Sequence, residues 1–277
     1  MENDPFKFNV NRALITSRAN SLLRHARAVR DGKVPERIFI EGLRLCEEAL
    51  RANVPIALGL HTPRFASEGR GATLLRELSI GGAQIRPVAE RVFDSIADTK
   101  TPQGVVLIGA RPDTSRRAFE SRVPATPLLV VMHRINNPAN CGSILRTAEA
   151  AGADGAIITK GSTDVFSSKA LRGAMGSSFR IPLWAGVNYT EALGWCAERG
   201  ISTICADPGA STSYADIDWR KPSALIVGPE STGLESQERA SADQRIKIPM
   251  RRPVESLNVA AAAAIVLYEA RKRREAL

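Results

Sequence analysis

The feature that most constrains the fold is the regular alternation of short apolar runs with helix-forming segments in the C-terminal half. Each run is short enough for a strand, and a helical pattern follows most of them. The apolar runs lie at 128–132, 155–159, 181–185, 201–206, 224–227 and 245–248. Helical patterns lie at 142–151, 168–178, 190–199 and 256–273. This alternation is typical of an α/β domain with a mostly parallel sheet covered by helices on both faces.

The N-terminal residues predict a second, smaller α/β unit. A helical pattern begins near Ser17 and carries apolar residues on one face and arginines on the other. Strand patterns follow at 37–40, 56–61, 84–87 and 104–108. The proline-bearing segment 111–127 has little apolar periodicity and reads as a linker, with a short helix possible within 115–121. We therefore expect domains at 1–110 and 128–277.

Three polar motifs follow apolar strands, at the strand end where open α/β sheets bind ligands. The first runs from Asn136 to Arg146 and includes Asn140; we expect its helix to begin near Gly142. The amide groups at a helix N-terminus suit a phosphate or carboxylate. An ordinary capped strand–loop–helix with a surface arginine remains the alternative.

The second motif surrounds a carboxylate with two glycines. Gly228 and Gly233 flank Glu230 and permit tight turns and close ligand approach. A turn capped by Glu230 is the alternative. The segment has neither the dinucleotide-binding glycine spacing nor a Walker A lysine.

The third motif joins the end of the last strand to a long alanine-rich helix. Ile248-Pro249-Met250 ends the strand, and Ser256-Leu257-Asn258 opens the helix. Ser256 is a candidate helix cap. Asn258 then falls in the first helical turn. Asparagine is a weak helix former, so helix propensity does not explain its position, and a functional role is favoured.

Charge points to a polyanionic partner. The formal net charge is +9, and the basic residues cluster at 12–37 and 271–274. Nucleic acid is the first candidate, although a solvated helix face would explain either cluster alone. The four cysteines and three histidines show no metal-ligand spacing, so no metal site is expected. No apolar run is long enough to span a membrane, and no export signal is legible, so we expect a cytoplasmic protein.

Together the three motifs resemble those of the SpoU/TrmH branch of the SPOUT methyltransferases, in order and in spacing. The motif forms are Asn-x-x-x-Asn-x-Gly-x-x-x-Arg, Gly-x-Glu-x-x-Gly and Pro followed by Ser-Leu-Asn-Val. The N-terminal segments 39–42 and 101–104 are similar to the ribosomal-protein-like RNA-binding domain often found before SpoU domains. Ala139 and Ser231 depart from the glycines of many members, which affects loop geometry rather than the chemistry.

The resemblance implies a trefoil-knotted C-terminal domain, a homodimer and S-adenosyl-L-methionine as cofactor. It also implies that RNA is methylated on a ribose 2′-hydroxyl. The two-domain architecture with an N-terminal RNA-binding module favours ribosomal RNA over transfer RNA. The residues that would hold the cofactor are Gly228, Glu230, Ile248, Met250, Leu257 and Asn258. Those that would form the catalytic site are Asn140, Arg146, Glu230, Ser256 and Asn258.

A guanidinium stays protonated in proteins, so Arg146 is better suited to stabilise a developing alkoxide or grip a phosphate than to remove a proton. A phosphate or a water then remains as proton acceptor. We expect Glu230 to bond asparagine or backbone groups in the site. Two other functions stay open: a catalytically inactive RNA-binding protein of the same fold, and an unrelated nucleotide-binding α/β enzyme.

Overall fold

The structure is a computed structural model that describes residues 13–230 and 232–275. The strands are β1 (Arg37–Glu41), β2 (Ile56–His61), β3 (Gln84–Pro87), β4 (Val105–Ala110), β5 (Leu128–Met132), β6 (Gly155–Thr159), β7 (Leu183–Val187), β8 (Ser202–Ala206), β9 (Thr212–Ser213), β10 (Ser223–Val227) and β11 (Gln244–Lys247). The helices are α1 (Ser21–Arg30), α2 (Leu43–Arg51), α3 (Pro63–Ser67), α4 (Gly69–Ile80), α5 (Glu90–Phe93), α6 (Arg116–Glu120), α7 (Pro138–Ala150), α8 (Ser168–Ala174), α9 (Ser177–Arg180), α10 (Tyr189–Glu198), α11 (Ser236–Ala240) and α12 (Val259–Glu275). The prediction of an α/β protein with strands and helices in alternation is confirmed.

The described residues form two compact units. The first holds the chain up to Pro112 together with Phe166–Phe179, and the second holds Asp113–Val165 and the chain from Arg180 onward. Phe119 of α6 is 1% exposed and belongs to the apolar core of the second unit. The domain functions assigned to 1–110 and 128–277 stay a prediction.

The first unit is built on a mixed four-stranded sheet in the order β1-β4-β2-β3. Strand β4 runs antiparallel to both β1 and β2, whereas β3 pairs parallel with β2. Helix α1 buries Leu23, Ala26 and Val29 against this unit's core, as its apolar face predicts. The Asn20 side chain accepts a 2.9 Å hydrogen bond from the Leu22 amide, which caps the helix.

The second unit is built on a seven-stranded sheet in the order β7-β6-β5-β10-β8-β11-β9. Every strand pair in it is parallel, which confirms the predicted parallel sheet. Residues Leu128 to Met132 of β5 are all fully buried, because a parallel strand covered on both faces has no solvent-facing side. The trefoil knot stays a prediction.

Three helices begin at other residues than the sequence predicts. Helix α1 begins at Ser21 rather than near Ser17, because Asn20 caps it. Helix α7 begins at Pro138 rather than near Gly142, because the Asn137 side chain accepts from the Ala139 amide and proline suits the first helical position. The last helix, α12, begins at Val259 rather than at Ser256. Its cap is Asn258, whose side-chain oxygen accepts from the amides of residues 260 and 261.

The helix predicted over 168–178 is broken into α8 and α9. Met175 adopts φ 47° and Gly176 φ 95°, and these left-handed residues stop α8 and redirect the chain. Within residues 13–230 and 232–275, no helix has the length and apolar character that a membrane crossing requires.

The C-terminal basic cluster is largely structural. Arg274 donates four hydrogen bonds of 2.7–3.1 Å to the carbonyls of Trp219, Thr126, Pro127 and Lys221. A planar guanidinium has donors enough to bond several carbonyls at once. Arg274 therefore ties α12 to loops at the opposite ends of β5 and β10 from the motifs.

The neighbouring arginines are also engaged. Arg271 pairs with Glu275 at 2.7 Å and donates to the Ala150 carbonyl, and Arg273 pairs with Glu269 at 2.6 Å. The pattern of charge at 271–274 therefore reflects attachment of α12, and it gives little support to a polyanion site there.

Replacement of Arg274 by lysine should lower the free energy of unfolding by about 2 kcal/mol, because a compact ammonium cannot reach four carbonyls and leaves some unpaired. Urea unfolding followed by circular dichroism measures the loss. The exposed neighbour Lys272, changed to alanine, should stay within about 0.5 kcal/mol of the unchanged protein. Equal losses for both variants would contradict the structural role of Arg274.

Candidate active site

Three adjacent strands of the second sheet end at one cavity. Strands β10, β8 and β11 are neighbours and parallel, so their carboxyl ends lie at the same edge. The chain leaves them at Gly228, Asp207 and Ile248. This edge is where a parallel α/β sheet collects ligand-binding groups.

The cavity has a volume of about 860 Å³, counted with its open mouth. Its walls include all six residues that the resemblance assigns to the cofactor: Gly228, Glu230, Ile248, Met250, Leu257 and Asn258. Most of the remaining lining is apolar and comes from the strand ends and the first turn of α12. A largely apolar wall with a few polar groups is typical of a small-molecule site.

Gly228 keeps one side of the cavity open. A Cβ added there would lie 2.8 Å from Cγ of Leu234 and 3.1 Å from its backbone nitrogen. A real Cβ essentially never comes as close as 2.8 Å to another heavy atom, so a side chain at 228 would displace Leu234, which also lines the cavity. The glycine is therefore required by the close approach of two loop segments.

Backbone groups on the cavity wall are available to a ligand. The main-chain N–H and C=O groups of Ile248, Met250 and Leu257 make no hydrogen bond to any other described residue. Main-chain groups normally find partners when they are shielded from water. An edge of unpaired donors and acceptors beside apolar side chains suits a flat heterocycle.

Asn258 connects the third motif to the first. Its Oδ1 caps α12 by accepting from the Ala260 amide at 2.9 Å, and its Nδ2 donates to Oδ1 of Asn140 at 3.2 Å. Asn258 is therefore the cap and does not lie in the first helical turn as predicted, and its presence there needs no functional reason because asparagine is a favoured cap. The contact with Asn140 is what distinguishes it from an ordinary cap.

The other candidate residues lie in more open positions. Arg146 is exposed on α7, six residues beyond Asn140 and therefore about 9 Å along the helix axis. Glu230 is exposed on the cavity wall. Ser256 is exposed and is not among the cavity-lining residues. No hydrogen bond or ion pair joins these three side chains to other described residues, and the expected bonds of Glu230 stay a prediction.

Cys141 follows Asn140 in the first turn of α7 and is fully buried. Burial, with a smaller effect from the charge of Asp164, raises the pKa of the Cys141 thiol to about 12. The thiol therefore stays protonated near neutral pH and packs as an apolar group.

The cavity also contains residues that sequence reasoning missed. Asp207 and Pro208 follow β8 and line the wall, as does Leu234. The Asp207 carboxylate accepts from the Gly209 amide at 3.0 Å and lies 3.7 Å from Arg239 and Arg245. The signal was present, because a polar residue that ends a predicted strand is the same pattern that identified the motifs.

Comparisons with known proteins agree with this architecture. Residues 127–268 match the family model described as the SpoU rRNA Methylase family. Residues 24–107 match the model described as an MRM3-like substrate binding domain. The two matches fall on the parts of the sequence in which the two α/β patterns were recognised.

Relatives match over most of the chain. An uncharacterized tRNA/rRNA methyltransferase of Mycobacterium ulcerans is 32% identical over 254 residues, 88% of this chain and 80% of the relative. A protein of Synechocystis sp. with the same description is 31% identical over 265 residues, 95% of this chain and 94% of the relative.

Solved structures match at similar coverage. A Sinorhizobium meliloti rRNA methyltransferase with AdoMet bound has a TM-score of 0.82 and 29% identity, over 94% of this chain and 97% of its own. A structure described as an RNA 2′-O ribose methyltransferase has a TM-score of 0.81 and 28% identity, over 96% of this chain and 100% of its own. With its motifs, its parallel sheet and its strand-end cavity, this chain belongs to the SpoU family of RNA methyltransferases.

Proposed function

We propose that this chain transfers the methyl group of S-adenosyl-L-methionine to a ribose 2′-hydroxyl of RNA, with ribosomal RNA favoured over transfer RNA. The observation that carries the proposal is the cavity at the ends of β10, β8 and β11. The second and third motifs line it, and the first reaches it through the Asn140–Asn258 bond across 118 positions of sequence. The AdoMet-bound neighbour and the neighbour described as a 2′-O ribose enzyme support the same reaction.

The cavity residues fit S-adenosylmethionine. Gly228 keeps space that a Cβ would narrow, and the unpaired main-chain groups of Ile248, Met250 and Leu257 suit the edge of adenine. When bound, the cofactor supplies an electrophilic methyl group on a sulfonium.

The protein's contribution is positioning and charge. The exposed Arg146 guanidinium is free to stabilise negative charge on the reacting ribose oxygen or to bind a neighbouring phosphate. Asn140, held by Asn258, would orient the ribose beside the cavity mouth. Glu230 lies on the wall as a carboxylate that can balance positive charge. A phosphate of the RNA or a water remains the candidate proton acceptor.

RNA capture is assigned to the first unit. Arg27 and Arg30 of α1 are engaged with Ser95 and nearby carbonyls, so they are structural. Arg18, Arg24 and Lys33 are exposed, and their side chains have no partner among the described residues. Arg12, also in the predicted cluster, lies outside those residues. An architecture with a separate substrate-binding unit favours ribosomal RNA.

A homodimer is part of the proposal. Four of the six exposed large apolar side chains among the described residues lie in one stretch: Val254, Leu257, Ile265 and Tyr268. A second copy of the chain, seated on the outer face of α12, would remove them from water. Sedimentation equilibrium tests this, since a mass of a single 29.9 kDa chain contradicts it.

A cytoplasmic location agrees with four cysteines that are all free and buried.

Replacement of Gly228 by alanine should weaken binding of S-adenosylmethionine and S-adenosylhomocysteine by about 10-fold or more, because the added Cβ would displace Leu234, which is part of the cavity wall. Calorimetric titration measures both ligands, with ATP and NAD as comparison ligands. Gly194→Ala is the matched control, since a Cβ there meets nothing within 4 Å. Binding of neither methionine-derived ligand by the unchanged protein would favour the inactive RNA-binding alternative, and binding of ATP or NAD instead would favour the unrelated nucleotide enzyme.

Replacement of Arg146 by alanine should lower turnover by about 100-fold or more while cofactor affinity stays unchanged, because the guanidinium lies outside the cavity lining and acts on developing charge. Methyl transfer from labelled cofactor to ribosomal RNA measures turnover. Lys221→Ala, an exposed cation of the same unit, should retain activity. Near-normal turnover by Arg146→Ala would remove Arg146 from the mechanism.

Replacement of Asn258 by aspartate separates its two contacts. Aspartate caps a helix as well as asparagine does, so the melting temperature should stay close to that of the unchanged protein. The N–H donor to Asn140 is lost and two oxygens face each other, so turnover should fall about 10-fold. Normal turnover at an unchanged melting temperature would show that the bridge does not matter for catalysis.

Reversal of charge at Arg18, Arg24 and Lys33 to glutamate should weaken RNA binding and flatten its salt dependence. Loss of three phosphate contacts would reduce the slope of log Kobs against log salt by about 2–3. Filter binding of a ribosomal RNA transcript at several salt concentrations measures the slope. The control Lys221→Glu lies in the other unit, and an equal effect there would argue against capture by the first unit.

A further inference from the structure

Arg134 has an unusual backbone conformation at the start of the first motif's loop. It lies two residues beyond β5 and adopts φ 51°, in the left-handed region that favours glycine. A residue with a Cβ is strained there, and such strain persists where surrounding contacts over-determine the conformation. The contacts that hold it are therefore informative.

The Arg134 guanidinium is held by two carboxylates at the start of α11. Its Nη2 donates to both oxygens of Glu238, at 2.8 and 2.9 Å. Its Nη1 and Nη2 also donate to Oε1 of Glu235, at 3.2 and 3.1 Å. The Arg134 side chain is 34% exposed and that of Glu238 17%, so the pair is partly shielded from solvent screening.

The preceding residue, His133, bonds the same carboxylate. Its Nε2 lies 3.0 Å from Oε1 of Glu238, and its Nδ1 lies 2.9 Å from Oγ1 of Thr159. A carboxylate only accepts, so Nε2 carries the proton, and the threonine hydroxyl can donate to Nδ1 of the neutral ring. Tyr189 packs on the imidazole with ring centroids 4.3 Å apart and donates to the Glu238 carbonyl.

Glu238 is the acceptor on which this network converges. Burial alone would raise the pKa of Glu238, but the Glu235 amide, His133 and Arg134 together lower it, so the carboxylate is ionised at neutral pH. The Glu235 and Glu238 side chains also form a reciprocal capping box at the start of α11. The network therefore fixes where α11 begins.

The start of α11 is also the end of the second motif's loop. Glu235 directly follows Leu234, and both Gly233 and Leu234 line the cavity. Arg134, His133 and Glu238 themselves do not line it. The network consequently joins the first residues after β5 to the far end of the loop that carries Glu230, without touching the space a ligand would occupy.

We propose that Arg134 is a positioning residue of this active site, which holds the second motif's loop in its cavity-lining arrangement by fixing Glu235 and Glu238. The inference rests on the proposed function, because the cavity is taken as the cofactor site. A loop that reached this arrangement only one tenth of the time would raise the apparent Kd for cofactor about 10-fold. Chemistry at saturating cofactor would be little changed, since the reacting groups are not altered.

Three variants of the full-length protein test the inference. Arg134→Gly removes the guanidinium and also the backbone strain, so the fold should be retained. Arg134→Lys keeps the charge without the planar fork and should give an intermediate effect. Arg180→Gln is the matched control, because it breaks another two-bond pair of the same unit, with Glu149 at 2.6 and 2.9 Å and similar exposure.

The first measurement is hydrogen exchange of residues 228–239 without ligand. Arg134→Gly should raise exchange there about 10-fold, notably at the Gly233 amide that donates to Pro229, while Arg180→Gln leaves it unchanged. The second is kinetics with S-adenosylmethionine: KM for cofactor should rise about 10-fold in Arg134→Gly, with kcat within about twofold.

Unchanged exchange in Arg134→Gly would overturn the inference, as would a loss confined to kcat or equal effects in Arg180→Gln. Failure of the proposed function has a different signature. In that case the unchanged protein would bind no S-adenosylmethionine, whatever the exchange measurement finds in the variants.

Discussion

Parallel pairing of β5, β10, β8 and β11 is the constraint on which the rest of this molecule depends. Parallel strands all end at one edge, so each polar segment that leaves a strand there is brought to the same place. The buried strands can be apolar throughout because helices cover both faces. The sheet therefore brings motifs that are far apart in sequence to one edge, and the strand order and register set the distances between them.

Much of this was legible from the sequence. Apolar runs located the strands, and the resemblance of the segments that follow them to SpoU motifs assigned the six cofactor candidates that lie on the cavity wall. Helix starts were less legible. The Asn137-Pro138 pair that begins α7 is a known start signal for a helix, but the start was predicted four residues later, at the glycine of the motif. The sequence suggested Ser256 as the cap of α12. Asparagine is an equally good cap residue, and Asn258 is the one that directly precedes the helix.

What sequence could not supply were contacts between residues far apart along the chain. Nothing near Arg134 indicates that Glu238, 104 positions away, receives its guanidinium. Arg274 is part of a basic cluster in the sequence, but in the structure its guanidinium bonds four carbonyls from two loops. An arginine's charge is visible in sequence, whereas its partners depend on tertiary packing. Composition therefore overstated how much of the basic surface is open to RNA.

The side-chain amide of Asn258 makes two structural contacts at once. Its oxygen begins α12 and its nitrogen holds Asn140, while its surface forms part of the cavity wall. A ligand that shifts this amide must give up the cap or the bridge, each worth about 1 kcal/mol. Occupancy of the cavity and the orientation of Asn140 are thus linked through a single side chain. Such a link would couple the two sites through one hydrogen-bonded group, without the movement of a domain.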